Sequence, residues 1–172
     1  MDIDRYVLPT IVVLVILILI VTAISLSGNS TFQTGNLNFE YPNNWNQNYI
    51  VGNFSNESLY SEVTFNANFQ DNANQQQPAY IIIQMQQIAE GTVNLPNPNA
   101  IVMNTTNSSI ASVEIGNTTA TQMGNYGQDI AKKVTVIQKN NYYYTVAYIC
   151  PPYALNQTEQ AYNTILKTLK IS

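Results

Sequence analysis

The side chains that most often do acid-base and metal chemistry are sparse here. The chain contains no histidine, so neither a Ser-His-Asp relay nor a Cys-His pair can be assembled, and the commonest zinc ligand is absent. Cys150 is the single cysteine. It can form no intrachain disulfide, and with Pro151 and Pro152 behind it and no activating base beside it, it reads as a buried structural thiol. From Glu40 onward the acids stand singly at Glu40, Glu57, Glu62, Asp71, Glu90, Glu114, Asp129 and Glu159, with no Asp-x-Asp or Glu-x-x-Glu pattern. Such spacing builds neither a calcium cage nor a pair of catalytic carboxylates. The expectation is a protein without metal, without cofactor and without catalysis.

Two residue types remain that could do recognition chemistry. Tyrosine offers a flat apolar ring and a hydroxyl together, which suits sugars and protein surfaces. Tyr142, Tyr144 and Tyr148 fall on one side of a strand pattern, Tyr143 falls on the other, and Tyr126, Tyr153 and Tyr162 lie close in sequence. The three on one side are candidate binding aromatics, and they suit a sheet core packed under a helix equally well. The second type is asparagine in N-x-[ST] triplets, which occur at Asn29, Asn53, Asn56, Asn104, Asn107, Asn117 and Asn156. Composition alone would give roughly three or four in so Asn- and Thr-rich a chain, so seven favours N-glycosylation of some of them.

What positions all of this is the run from Val7 to Leu26, almost wholly Val, Ile and Leu, with no charge between Arg5 and Glu40. As a helix it would be about 30 Å long, the hydrocarbon thickness of a bilayer. It is longer than a secretory signal's apolar region, and Ala23-Ile24-Ser25 imitates a cleavage site poorly, so an uncleaved anchor is expected. Arg5 precedes the run and the next base is Lys132, which places the short N-terminus in the cytoplasm and the rest outside. The resulting plan is a tail over residues 1–6, a transmembrane anchor over 7–27, a polar tether over 28–36 and one extracytoplasmic domain over 37–172.

The domain's composition limits its partners. Only 9% of residues are charged, and eight acids against five lysines beyond Glu40 leave a net charge of −3. No basic stripe exists for a phosphate backbone, so nucleic acid is excluded as a partner.

Along the domain, Leu37 to Glu40 reads as a short strand stopped at Tyr41-Pro42, and Trp45 as an indole plugging one end of the core. Strands are expected over 49–51, 59–69 and 80–88, with a polar loop over Asp71 to Pro78. In the second strand Ser61, Val63, Phe65, Ala67 and Phe69 share one face, while Glu62, Thr64, Asn66 and Asn68 share the other. The third shows apolar residues on both faces and should be central. Residues 94–99 are irregular, and 100–113 is read as a weak helix on Ile101, Met103, Ile110 and Val113. Strands follow over 118–122, 130–138 and 142–149, turning at Gly124 to Gly127 and at Lys139 to Asn141. After Pro151-Pro152 an amphipathic helix is capped by Asn156 with Glu159 three residues on, buries Ala161, Tyr162, Ile165, Leu166 and Leu169, and ends near Lys167 and Lys170.

The stretch Leu37-Asn-Phe-Glu-Tyr-Pro-Asn-Asn-Trp45 resembles the opening of PsbP-like domains. The ending is similar too, with a Gly/Gln turn, two long strands, Pro-Pro and a final amphipathic helix. The likeness extends over about residues 36–172, and the chain resembles the small membrane-anchored PsbP-related proteins of archaea. It implies an α+β fold, an antiparallel sheet flanked by helices in an α/β/α sandwich. The ion-retaining role of the photosynthetic relatives does not carry over to a chain without histidine.

These readings converge on a non-catalytic binding or scaffolding protein at the cell surface, held in the lipid bilayer through residues 7–27. Its partner would be an envelope glycan or a neighbouring membrane protein; nothing in the sequence specifies an oligomeric state. A pilin-like subunit of an archaeal surface filament is the alternative, although no Lys/Arg-Gly processing site precedes the apolar run. A secreted solute-binding protein released by signal cleavage is the other.

Overall fold

The structure is a computed structural model that describes residues 28–88 and 108–172. The anchor over 7–27, the irregular 94–99 segment and the first part of the 100–113 segment lie outside those residues, as do Asn104 and Asn107. Among the described residues no helix is long and apolar enough to cross a membrane.

Among the described residues there are ten strands and one α-helix. The strands are β1 Asn29–Thr34, β2 Leu37–Pro42, β3 Asn46–Val51, β4 Tyr60–Gln70, β5 Gln76–Gln87, β6 Ser108–Ile115, β7 Thr118–Tyr126, β8 Ala131–Lys139, β9 Tyr142–Cys150 and β10 Lys170–Ile171; α1 spans Leu155–Thr168. Seven strands form one sheet in the order β3-β4-β5-β9-β8-β7-β6, and β1-β2-β10 form a second. Every pairing is antiparallel.

The alternation in β4 decides how the layers stack. Ser61, Val63, Phe65 and Ala67 point inward and meet Met85, Ile83, Ile81 and Ala79 of β5 in register. Ile81, Ile83 and Met85 in turn face Tyr148, Val146 and Tyr144 of β9. Onto this apolar face fold α1, through Ala161, Tyr162, Ile165 and Leu166, and the small sheet, through Phe32, Leu37 and Phe39. The Phe32 and Phe39 rings meet Phe65 edge-on at 6.0 and 5.8 Å, a preferred aromatic geometry. Trp45 is buried at the edge of this layer with its ring 6.1 Å from Phe69, as expected of a plug.

Several expectations change. Residues 28–36 are not a tether: Asn29 to Thr34 form β1, paired residue for residue with β2 from Pro42 to Leu37. Phe32 supplies the reason, since burying its ring in an aromatic cluster outweighs the polar character of its neighbours. The part of the weak helix that is described, residues 108–113, is strand β6, because pairing with β7 satisfies a backbone whose Ser-rich sequence favours no helix. The helices flanking both sides of a sheet reduce, among the described residues, to α1 on one side, and the small sheet occupies the room beside it.

Smaller differences follow the same logic. The helix is capped not by Asn156 but at Ala154, without a side-chain bond, because a 3-10 turn over Pro152–Ala154 leads directly into it. It stops at Thr168, so Lys170 belongs to β10 and not to the helix end. Pro78 lies inside β5 opposite Asn68, and the loop before it shrinks to the Asp71 turn, held by Asp71 Oδ1 accepting from the backbone of Ala73 and Gln75 at 2.8 Å each. β5 is internal, as expected, but only one of its faces is fully covered. Gly124 lies within β7, and the turn is made by Gly127 to Ile130.

The connections sort into two ends of the strands. At one end the Gly28 carbonyl accepts from Asn43 N at 3.0 Å, Trp45 meets Phe69, the Tyr153 hydroxyl donates to the Phe69 carbonyl at 3.3 Å, and Cys150 faces Ala131 beside Ile130. At the other end Asn36 N donates to the Phe54 carbonyl and Ser172 N to the Asn36 carbonyl, both at 2.9 Å, and Ile88 N donates to the Asn141 carbonyl at 2.9 Å. Gly35, at φ +53°, makes the β1–β2 turn there. An added Cβ would lie 2.2 Å from the Asn53 carbonyl oxygen, so both the turn and its contact require glycine.

Candidate functional site

The tyrosines singled out from sequence do share a face, and it is the inner one. Tyr142, Tyr144 and Tyr148 are 5%, 1% and 0% exposed and belong to the main core. Tyr142 donates to the Asn56 carbonyl at 2.5 Å, and Tyr148 packs edge-on against Tyr162 at 5.1 Å. They hold the sheet under its cover and are not free to meet a ligand.

Beneath α1 lies a half-buried polar network. Glu159 of the helix forms an ion pair with Lys133 of β8 and accepts from the Tyr148 and Tyr126 hydroxyls at 3.2 and 3.3 Å. Burial by itself would raise the Glu159 pKa and lower that of Lys133. Burial is the largest single influence on each, but the hydrogen bond and charge of the pair, added to the hydrogen bonds with the neighbouring tyrosines, together outweigh it, so Glu159 lies below and Lys133 above its ordinary value. Next to it, Tyr162 and Thr135 share a hydroxyl hydrogen bond, and Gln122 Nε2 donates to Thr135 Oγ1 at 3.0 Å. Every polar group here has a partner, which is the arrangement of a structural tie. Cys150 is buried near Thr158, and burial pushes its thiol up, away from the reactive thiolate. Among the described residues no group of three metal-ligating side chains exists.

The outer face of the large sheet is divided. Over β7, β8 and β9, Met123, Val134, Val136, Tyr143 and Ala147 form a second buried apolar cluster. Over β3, β4 and β5 the same face is open and carries Tyr49, Tyr60 and Tyr80, which are 52%, 42% and 36% exposed. Register places Glu62 opposite Gln84, with Thr64 opposite both Tyr49 and Ile82. The Tyr60 hydroxyl donates to Glu62 Oε2. Gln84 Nε2 donates to that oxygen at 2.8 Å and to the Tyr60 hydroxyl at 3.1 Å, while the Thr64 hydroxyl donates to Oε1 at 3.5 Å. Partial burial and the neighbouring carboxylate push the Tyr60 hydroxyl up to about 12, so it stays a donor. The one ion pair among the described residues is Lys133–Glu159, so Glu62 is held by neutral donors alone.

Sequence reasoning recorded the polar face of β4 but not this site, because Tyr60 and Glu62 acquire Gln84 and Tyr49 only once β5 and β3 are placed on either side. The i, i+2 spacing of Tyr60, Glu62 and Thr64 was the available signal.

Of the glycosylation candidates, Asn29, Asn53, Asn56, Asn117 and Asn156 are all exposed. Asn53, Asn56 and Asn117 lie at the Gly35 end, and Asn29 and Asn156 at the Gly28 end. An open groove of about 250 Å³ beside Asn117 is lined by Ile115, Ile137, Lys139 and Leu169 among others, and Lys139 Nζ donates to the Ile171 carbonyl.

Together these features define, among the described residues, an antiparallel, mostly-sheet domain with one α-helix on one face. No protein-family model and no curated protein sequence matches the chain. Solved structures do. A crystal structure from Bacteroides thetaiotaomicron VPI-5482 is similar with a TM-score of 0.52 at 14% identity, over 83% of this chain and 48% of that one. The solution structure of cyanobacterial PsbP (CyanoP) from Synechocystis sp. PCC 6803 is similar with a TM-score of 0.51 at 9% identity, over 85% and 94%. The chain thus spans about half the length of the Bacteroides protein. The fold is PsbP-like.

Proposed function

We propose that this chain is a non-catalytic, membrane-anchored protein of the cell exterior whose open β3–β4–β5 face recognises a neutral glycan of the envelope. The observation that carries the reading is Glu62, fixed by Tyr60, Gln84 and Thr64 with no cation bonded to it, amid three exposed tyrosines. Sugar hydroxyls both donate and accept, so they can bond to a pre-set carboxylate and amide, while the C–H faces of the ring pack on tyrosine. An anionic ligand would meet the Glu62 charge with only Lys132, opposite Ile149 at the margin of the face, to offset it. The apolar run over 7–27, the amide-rich surface and the exposed sequons at Asn53, Asn56 and Asn117, at the end away from that run, support an extracytoplasmic, glycosylated domain. The missing histidine and the fully engaged Glu159 network favour binding over catalysis. The resemblance of Leu37 to Trp45 to archaeal membrane-anchored PsbP-related proteins accords with such a setting.

Calorimetric titration of the detergent-solubilised full chain with neutral envelope oligosaccharides tests this. Binding that vanishes in Tyr60→Ala and Glu62→Gln, at unchanged unfolding temperature, is expected; binding that persists in both variants would move recognition off this face.

A further inference from the structure

The strand that replaces the expected tether has a geometric consequence. β1 begins at Asn29, and the Gly28 carbonyl is already bonded to Asn43, while the apolar run extends to Leu26. Two or three residues therefore separate the run from an ordered sheet, and a residue spans at most about 3.6 Å. We propose that the Gly28 end of the domain rests on the bilayer that holds residues 7–27, with Ile130 and Tyr153 entering the lipid headgroup region. This rests on the reading of that run as a membrane anchor.

Three observations support the contact. Ile130 and Tyr153 are 46% and 39% exposed, and both belong to the connections at the Gly28 end. Ile130 lies in the β7–β8 turn, where Gly127 N donates to its carbonyl at 3.1 Å. Tyr153 follows Pro151-Pro152 and is tied by its hydroxyl to Phe69, next to the Trp45 plug. A tyrosine with a half-exposed ring and an exposed isoleucine at one level are suited to an interface that is apolar below and wet above. The charges in the described loops of this end are Asp71 and Asp129, with Glu40, bonded to Asn29, and Lys132, opposite Ile149, on the adjoining strands; three acids against one lysine leave apolar contact rather than attraction to anionic headgroups to hold it. The opposite end presents Asn53, Asn56 and Asn117, and a nine-residue strand such as β9 puts it about 26 Å farther out at about 3.3 Å per step. The open Tyr60 face runs between the two ends, perpendicular to the membrane and accessible from the side.

The test uses the full chain in phosphatidylcholine nanodiscs with single replacements Ile130→Cys, Tyr153→Cys and Leu59→Cys, the last at a residue 73% exposed at the far end. Cys150 is buried and does not compete for the label. With an environment-sensitive fluorophore attached, positions 130 and 153 are expected to shift to the blue and to lose iodide quenching several-fold on reconstitution, and to be quenched by spin-labelled lipid. Position 59 is expected to stay fully open to iodide. Equal iodide quenching at 59, 130 and 153, in chain that stays with the bilayer through an alkaline wash, would overturn the resting contact and leave the anchor standing. Release of the chain by that wash would overturn the anchor and the contact together.

Discussion

The two faces of the seven-stranded sheet are made by alternate residues of the same strands, yet they behave as different materials. On β4 the inner set, Val63, Phe65 and Ala67, is almost wholly buried, while Tyr60 and Glu62, one residue out of phase, meet water. On β9 and β5 tyrosine appears on both sides: Tyr148 and Tyr144 inside, Tyr80 outside. Residue type does not set the role of a tyrosine in this protein. The parity of its position does, together with which face α1 and the small sheet cover.

Substitutions can break or sharpen that contrast. Phe65→Ala and Tyr148→Ala remove rings from the centre of the inner face and should each cost about 3–5 kcal/mol, read as a lowered urea midpoint. A loss below about 1 kcal/mol would mean that the inner face is not the core. Gly35→Ala should cost about 2 kcal/mol, because it combines a positive φ with a Cβ driven against the Asn53 carbonyl. Its effect tests whether the small sheet is locked to the large one through Phe54.

The Glu159–Lys133 tie is the next in size. Both ends are partly open to water, so Glu159→Gln should cost about 1 kcal/mol near neutral pH. The signs define a window. Glu159 is depressed from 4.5, so its contribution is present above that value and is lost as pH falls through the lower folded pKa. Lys133 is raised from 10.5, so its contribution is present below that value and is lost as pH rises through the higher folded pKa. Thermal unfolding of wild type should therefore soften below about pH 4.5, and the Gln variant should lose that part of the pH dependence; matched acid profiles would remove the tie from the account.

The smallest stability effect belongs to the open face. Tyr60→Ala and Glu62→Gln should move stability by no more than about 0.5 kcal/mol. If they destabilise as much as Tyr148→Ala, the two faces are not distinct.

Much of the chain could be read in advance. The alternation of β4, the turn at Asn140, the run of β9 and the apolar stripe of α1 all reflect local periodicity, and each was found where the pattern put it. β1 was missed because one buried phenylalanine among Asn, Ser, Thr and Gln carries no periodic signal, and its partner β2 lies across a two-residue turn. β6 was missed because a Ser-rich strand at a sheet edge, with Ile110 exposed, shows little hydrophobic pattern of either period. The candidate site was missed for a stronger reason: Tyr49, Tyr60, Glu62, Gln84 and Tyr80 come from three strands, and cross-strand register is a non-local quantity.

The sequence alone determined what is additive along the chain: the apolar run, the scarcity of charge, the absence of histidine, the sequons and the pattern of most strands. Only the tertiary structure decided which face of each strand is covered, which residues stand beside one another across strands, and that Asn29 to Thr34 join the small sheet as a strand. Those depend on contacts between segments distant in the chain, where burial against a neighbour outweighs any local preference.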